Sequence, residues 1–191
     1  MIAQTAVFVG TTPEVLYRAF LSAREHAAMT VDGSRPAALE RQGTAGVDRA
    51  QTGDVLRAVG LTGPDGQRVF VVEARILDLI SDKRVVLAWK NLAWRLALDP
   101  RKVTDVASTV VLDFHPNVAG AEIQLVQSGV PSYDVRLPLT LEELADVDRA
   151  ERAAAQSAPG GEVGPLSTLV NTHWSLVYWE PMKRYFQARQ Q

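Results

Sequence analysis

The sequence contains no cysteine in its 191 residues. Disulfide scaffolds, thiolate metal sites and cysteine nucleophiles are therefore excluded. The sequence also has no apolar run long enough to cross a membrane and no positively charged leader at its start. We therefore expect a soluble, unexported protein of the cytoplasm with no membrane partner.

Basic residues are too few and too scattered to form a nucleic-acid surface. Lysine and arginine total 20 against 22 aspartate and glutamate residues, which gives a net charge of -2. No basic block is present that could neutralise a row of phosphates, so we expect no nucleic-acid partner. Hydrophobic residues make up 47% of the chain, which is ample for the core of one domain covering residues 1–191.

Sequence signatures of common enzyme sites are absent. There is no P-loop, no dinucleotide-binding fingerprint and no nucleophile elbow. No histidine has a partner at metal-ligand spacing, and we expect neither a metal nor a cofactor. Glu73 and Asp113 alternate to the polar side of their strands, so a pair of catalytic carboxylates has little support. These absences favour a binding protein over an enzyme.

Five segments with strand-forming composition follow one another in the middle of the chain. They lie at about 54–60, 67–79, 84–91, 107–115 and 121–129, with turn-forming residues between them. Because successive side chains of a strand point to opposite faces, the apolar residues collect on one side of the sheet. That face is predicted to carry Phe70, Val72, Ala74, Ile76, Val110, Leu112, Phe114, Ile123, Leu125 and the polar Gln127. The pattern predicts an antiparallel meander with one apolar face.

The N-terminal region predicts a strand over residues 2–10 and then two short helices. Thr11 and Glu14 have the spacing of a capping box for the first helix, and Ser22 and Glu25 have it for the second. Residues 30–53 show no clear period, and we interpret them as a long loop with room for one weak strand.

A long C-terminal helix is predicted to cover the apolar face of the sheet. Apolar and aromatic residues recur at three- and four-residue steps from Leu166 to Tyr185, and Pro181 should bend the helix. Residues 136–165, before this helix, read as an insertion with a charged helix at 140–156 and a flexible connector.

The order of these elements resembles the START-like (Bet v 1-like) superfamily, an α+β helix-grip fold. Within it the chain is similar to the activator of heat-shock protein 90 ATPase homologue family. The likeness rests on TPEVLYRAFLSAREHAAMT at 12–30, VVLAWK at 85–90, QSGVP at 127–131 and WSLVYWEPMKRYF at 174–186. The resemblance implies an internal cavity, in proteins that range from a cochaperone to small-molecule binders and, more widely, cyclases.

The sequence departs from the family between the GVP turn and the final helix. In relatives the two are nearly adjacent, commonly with glycine before the tryptophan, whereas here some forty residues intervene and His173 precedes Trp174. The insertion could therefore act as a lid over the cavity or dock a second subunit in a homodimer.

Candidate ligand-binding residues face the space between sheet and helix. They are Phe70, Val72, Ala74, Trp89, Leu112, Phe114, Leu125, Gln127, His173, Trp174 and Tyr178. Trp174 and Tyr178 offer flat apolar surface with polar tips, although plain core packing needs nearly the same residues. Gln127 could orient a ligand or bond a nearby loop. His173 could hydrogen-bond a ligand or be a satisfied core residue.

Three functions are compatible with this pattern. The first is a non-enzymatic carrier or sensor of an apolar small molecule, and the second is an interaction module that binds a chaperone. The third is catalysis by His173 with Tyr178 as acid or base. The other two histidines, His26 and His115, are expected to be exposed to solvent.

Overall fold

A computed structural model describes residues 1–30, 37–62, 68–91, 108–130, 134–137 and 162–190. Its main feature is a curved antiparallel sheet of eight strands. The strands are β1 (Ile2–Val9), β2 (Ala38–Arg41), β3 (Thr44–Ala45), β4 (Val55–Thr62), β5 (Arg68–Ile80), β6 (Arg84–Asn91), β7 (Ser108–Asn117) and β8 (Gly120–Ser128). Their order across the sheet is β1-β8-β7-β6-β5-β4-β2-β3. The predicted meander and the helix-grip fold are confirmed.

The loop predicted at 30–53 contains two short strands instead of one weak strand. β2 adds to the sheet beside β4, which buries Leu39 opposite Leu56. Gln42 and Gly43, both with positive φ, form a two-residue turn that reverses the chain into β3. Residues 31–36 of this loop lie outside the described residues.

Two short helices follow β1, as predicted, and each begins at a hydroxyl side chain. Helix α1 (Pro13–Leu21) is capped by Thr12, whose Oγ1 accepts a hydrogen bond from the Val15 amide at 3.4 Å. The predicted cap at Thr11 was therefore wrong by one residue, because proline occupies the first helical position directly after Thr12. Helix α2 (Ala23–Met29) is capped by Ser22, as predicted, and the Ser22 Oγ accepts from the Glu25 amide at 3.4 Å.

The C-terminal segment is helical throughout but is not one regular α-helix. It consists of α3 (Leu166–His173), a π-helix (Trp174–Trp179) and α4 (Glu180–Ala188). The amide of Glu180 bonds the carbonyl of Ser175, five residues earlier, directly before Pro181, which has no amide hydrogen to donate. The bend predicted at Pro181 stays a prediction, and the irregularity in the segment is a π-helix that ends two residues before this proline.

The core lies between the inner face of the sheet and the C-terminal segment. On the sheet side, the side chains without exposed surface include Val72, Ala74, Leu112 and Ile123. On the helical side, Val170, Trp174 and Met182 likewise have no exposed surface.

Among the described residues, no helix is both long and apolar enough to cross a membrane.

Only the two ends of the predicted insertion at 136–165 are described. Strand β9 (Asp134–Leu137) pairs antiparallel with β10 (Glu162–Pro165), in the register Leu137 to Glu162 and Asp134 to Pro165. The two ends therefore lie side by side immediately before α3. Residues 138–161, including the predicted charged helix at 140–156, lie outside the described residues.

Candidate ligand-binding site

Four aromatic rings meet between the sheet and the π-helix, and we refer to Trp89, Trp174, Tyr178 and Trp179 as the aromatic cluster. The Trp174 ring centroid lies 4.7 Å from Trp89, 4.8 Å from Tyr178 and 5.3 Å from Trp179. Trp89, Trp174 and Tyr178 are fully buried, and Trp179 is 4% exposed. Such ring contacts add to the burial energy of each side chain.

The sequence did not predict Trp179 in this cluster. On a regular α-helix, Trp179 would lie beside the face that carries Trp174 and Tyr178. A π-helix has more residues per turn, so more neighbouring side chains can reach that face. Its Nε1 donates to Gln4 Oε1 on β1 at 2.5 Å. The C-terminal segment is thereby tied to the edge strand of the sheet.

A chain of buried hydrogen bonds borders the aromatic cluster at one end of the sheet. Trp174 Nε1 donates to Gln127 Oε1 at 2.8 Å, and Gln127 Nε2 donates to Ser108 Oγ at 2.7 Å. Ser108 Oγ donates in turn to the carbonyl of Trp89 at 3.2 Å. Gln127 lies on the inner face as predicted, and two of its polar atoms are engaged with protein groups.

Ser108 was not among the candidate residues, although the sequence contains a signal for it. It stands two residues before Val110 on β7 and therefore shares the inner face by strand alternation. The sheet pairs it with Trp89 on β6, which places it beside the cluster.

His26 is buried, and the prediction that it is exposed to solvent was wrong. Its Nδ1 lies 2.8 Å from the carbonyl of Phe20, and its Nε2 lies 3.3 Å from the Tyr178 hydroxyl. A carbonyl only accepts, so Nδ1 carries the proton, and the neutral ring accepts from Tyr178 through Nε2. Burial lowers the pKa of His26 to about 4, which keeps this tautomer neutral at pH 7. His115 is exposed on the outer face.

His173 lies at the end of α3, where it is 2% exposed and in ring contact with Tyr178 at 5.8 Å. Burial lowers the pKa of His173 to about 4 and raises the pKa of Tyr178 above its ordinary value. Both side chains are therefore uncharged at neutral pH. The Tyr178 hydroxyl already donates to His26 Nε2.

The remaining candidate residues share the inner face but not one location. Val72, Ala74, Leu112 and Leu125 are buried there. Phe114 is also buried but lies toward the opposite end of the sheet, where its ring contacts Tyr17 at 5.6 Å. Phe70 is on β5, but its side chain is outside the described part of the chain.

A separate pocket of about 700 Å³ opens at that opposite end of the sheet. It lies between α1, the loop before β4 and the turn between β5 and β6. Its lining includes Tyr17, Arg18, Leu21, Asp48, Arg49 and Asp82. Arg18 and Asp82 approach each other there at 3.6 Å.

Over the described ranges, no group of three or more histidine, aspartate or glutamate residues could hold a metal ion.

Comparisons with known proteins support the fold. No protein-family model matches the sequence, and no curated protein matches it. The chain is similar in structure to protein MLL2253 from Mesorhizobium loti, with 13% identity, a TM-score of 0.54 and coverage of 98% of this chain and 96% of that chain. Protein SA2116 from Staphylococcus aureus has 12% identity, a TM-score of 0.54 and coverage of 100% and 95%.

An Hsp90 activator from Plasmodium falciparum, PFC0360w, also matches, with 16% identity and a TM-score of 0.43. The match covers 69% of this chain and 74% of that chain. The likeness to MLL2253 and SA2116, at 13% and 12% identity, supports the shared fold alone.

Proposed function

We propose that this protein binds an apolar small molecule between its sheet and its C-terminal helical segment, as a non-enzymatic carrier or sensor. The proposal is carried by the convergence of the aromatic cluster with the buried hydrogen-bond chain through Gln127 and Ser108. Small-molecule sites are mostly apolar and contain a few well-placed polar groups, which is the composition found here.

The position of the cluster also supports binding at this end of the sheet. Trp89 lies near the end of β6, Ser108 begins β7 and Gln127 lies near the end of β8. A ligand at this end would contact Trp89 and Trp174 on two different elements. Its binding would therefore stabilise the contact between the sheet and the π-helix.

A carrier role fits the chemistry of the cluster better than catalysis does. Burial holds the pKa of His173 near 4 and that of Tyr178 above its ordinary value, so neither side chain is poised to exchange a proton at neutral pH. The chaperone-linked and cyclase-like functions remain predictions from the family resemblance.

Nile red, an uncharged apolar dye, provides the test. Saturable binding of one dye per chain is expected in a fluorescence titration, and native mass spectrometry should detect the same complex. Trp174→Phe should weaken binding at least about fivefold, equivalent to about 1 kcal/mol. Leu176→Phe is the matched control, because Leu176 lies on the same π-helix but is 42% exposed. Absence of uptake, or a Trp174→Phe variant changed in thermal stability alone, would overturn the proposal.

A further inference from the structure

In the part of the chain that the structure describes, one donor of the aromatic cluster has no acceptor. Among the described residues, two buried polar side-chain atoms lack a hydrogen-bond partner, Thr11 Oγ1 and Trp89 Nε1. Thr11 is half-buried just before α1, whereas Trp89 has no exposed surface. An indole nitrogen can only donate, and folded proteins rarely leave such a donor unpaired.

We propose that the ligand is an uncharged apolar molecule with a hydrogen-bond acceptor, such as a ketone oxygen, that accepts from Trp89 Nε1. This inference rests on the proposed function and specifies its ligand class. It makes Trp89 the residue that selects ligands with an acceptor over plain hydrocarbons of the same shape.

Neighbouring acceptors are already engaged with other donors. Gln127 Oε1 accepts from Trp174 Nε1 at 2.8 Å, and the neutral His26 ring accepts from Tyr178. His26 Nε2 has a single lone pair and would have to give up its present donor to bond Trp89, and Gln127 Oε1 makes no hydrogen bond with Trp89 Nε1. A ligand that brings its own acceptor would form a hydrogen bond with the Trp89 indole and leave the present hydrogen bonds in place.

The surroundings favour an uncharged ligand over an anion. The buried polar residues in the described part of the chain include no lysine or arginine. The buried carboxylate, Asp54, is already paired with Arg41 at 2.8 Å on another part of the sheet. Within the described ranges, a buried ligand carboxylate beside Trp89 would meet no buried lysine or arginine to compensate its loss of solvation.

Three probes of matched shape test the ligand class by isothermal titration calorimetry at pH 7. They are 2-acetylnaphthalene, which carries a ketone, 2-isopropenylnaphthalene, in which a methylene replaces the oxygen, and the anion 2-naphthoate. The ketone should bind roughly tenfold more tightly than the hydrocarbon, the size of one added hydrogen bond. Naphthoate should bind most weakly.

Two variants assign the preference to one indole. Trp89→Phe keeps a ring but removes the donor, so the preference for the ketone should disappear. Leu176→Phe is the control, because Leu176 lies outside the aromatic cluster and is 42% exposed, so its substitution should leave the preference in place. In the parent protein, the ketone alone should shift the Trp89 indole proton downfield, a readout that remains available if Trp89→Phe fails to fold.

The outcomes separate this inference from the proposed function. Equal affinity for ketone and hydrocarbon, without an indole shift, would overturn the acceptor and leave apolar binding intact. Tightest binding of naphthoate would overturn the uncharged class. If none of the three probes and no Nile red binds, the proposed function fails and the inference fails with it.

Discussion

Acidification from pH 7 to pH 5 should destabilise this protein through two buried histidines, His26 and His173. Burial lowers the pKa of each from 6.5 to about 4. Between these values the unfolded chain binds protons that the folded chain does not, so the free energy of unfolding falls as the pH falls. The stabilisation is complete above about pH 6.5 and is lost progressively down to about pH 4.

The expected loss from pH 7 to pH 5 is about 2 kcal/mol for each histidine and about 4 kcal/mol for the pair. Glu25 and Asp54 do not dominate this window. Their pKa values are lowered in the fold, so their contributions are lost only as the pH falls through the ordinary values of 4.5 and 3.8 and below. The interval between pH 7 and pH 5 therefore reports mainly on the histidines.

Guanidinium chloride unfolding at pH 7, 6 and 5 measures this effect. His26→Gln should halve the dependence on pH whatever its effect on stability at pH 7, because one of the two titrating groups is removed. His115→Gln, at an exposed position, is the control for the substitution itself. A parent protein with equal stability at pH 7 and pH 5 would refute the assignment of both histidines as buried and neutral.

Three further substitutions test the packing and hydrogen bonds by chemical denaturation. Gln127→Leu should lower the free energy of unfolding by about 2 to 3 kcal/mol, because it leaves the buried Trp174 indole without an acceptor. Gln124→Leu on the outer face should change it by less than about 0.5 kcal/mol. Equal effects would contradict the buried hydrogen-bond chain. Tyr178→Phe should cost about 1 kcal/mol through loss of its bond to His26, and no change would argue against that bond.

Gly120→Ala should cost more than Gly43→Ala, since a Cβ at Gly120 would lie 2.4 Å from the Phe8 carbonyl oxygen, whereas one at Gly43 meets nothing within 4 Å. Strain from positive φ at both sites adds about 1 kcal/mol, and equal costs would refute the close approach at Gly120.

The sheet could be predicted from the sequence because its signal is local. Strand β7 shows an alternation, with Val110, Leu112 and Phe114 on the buried inner face and Thr109 and Asp113 on the outer face. Turn residues between the strands fixed their antiparallel order. The same alternation places Gln127 on the inner face without knowledge of its partners.

The polar partners could not be predicted, because they come from distant parts of the chain. His26 is in a seven-residue helix whose only large apolar side chain is Met29, and its partner Tyr178 lies 152 residues away. Nothing in the local pattern indicates that burial. The π-helix could not be predicted for a related reason. At α-helical spacing, Trp179 lies beside the apolar face of the C-terminal helix. Its place in the core depends on its contact with Gln4, which is far away in the sequence.

Intermolecular NOEs between bound 2-acetylnaphthalene and the protein locate the ligand. The proposal predicts NOEs from the naphthalene protons to the rings of Trp89 and Trp174, between the sheet and the π-helix. NOEs confined to Tyr17 and Leu21, which line the pocket at the opposite end of the sheet, would contradict it.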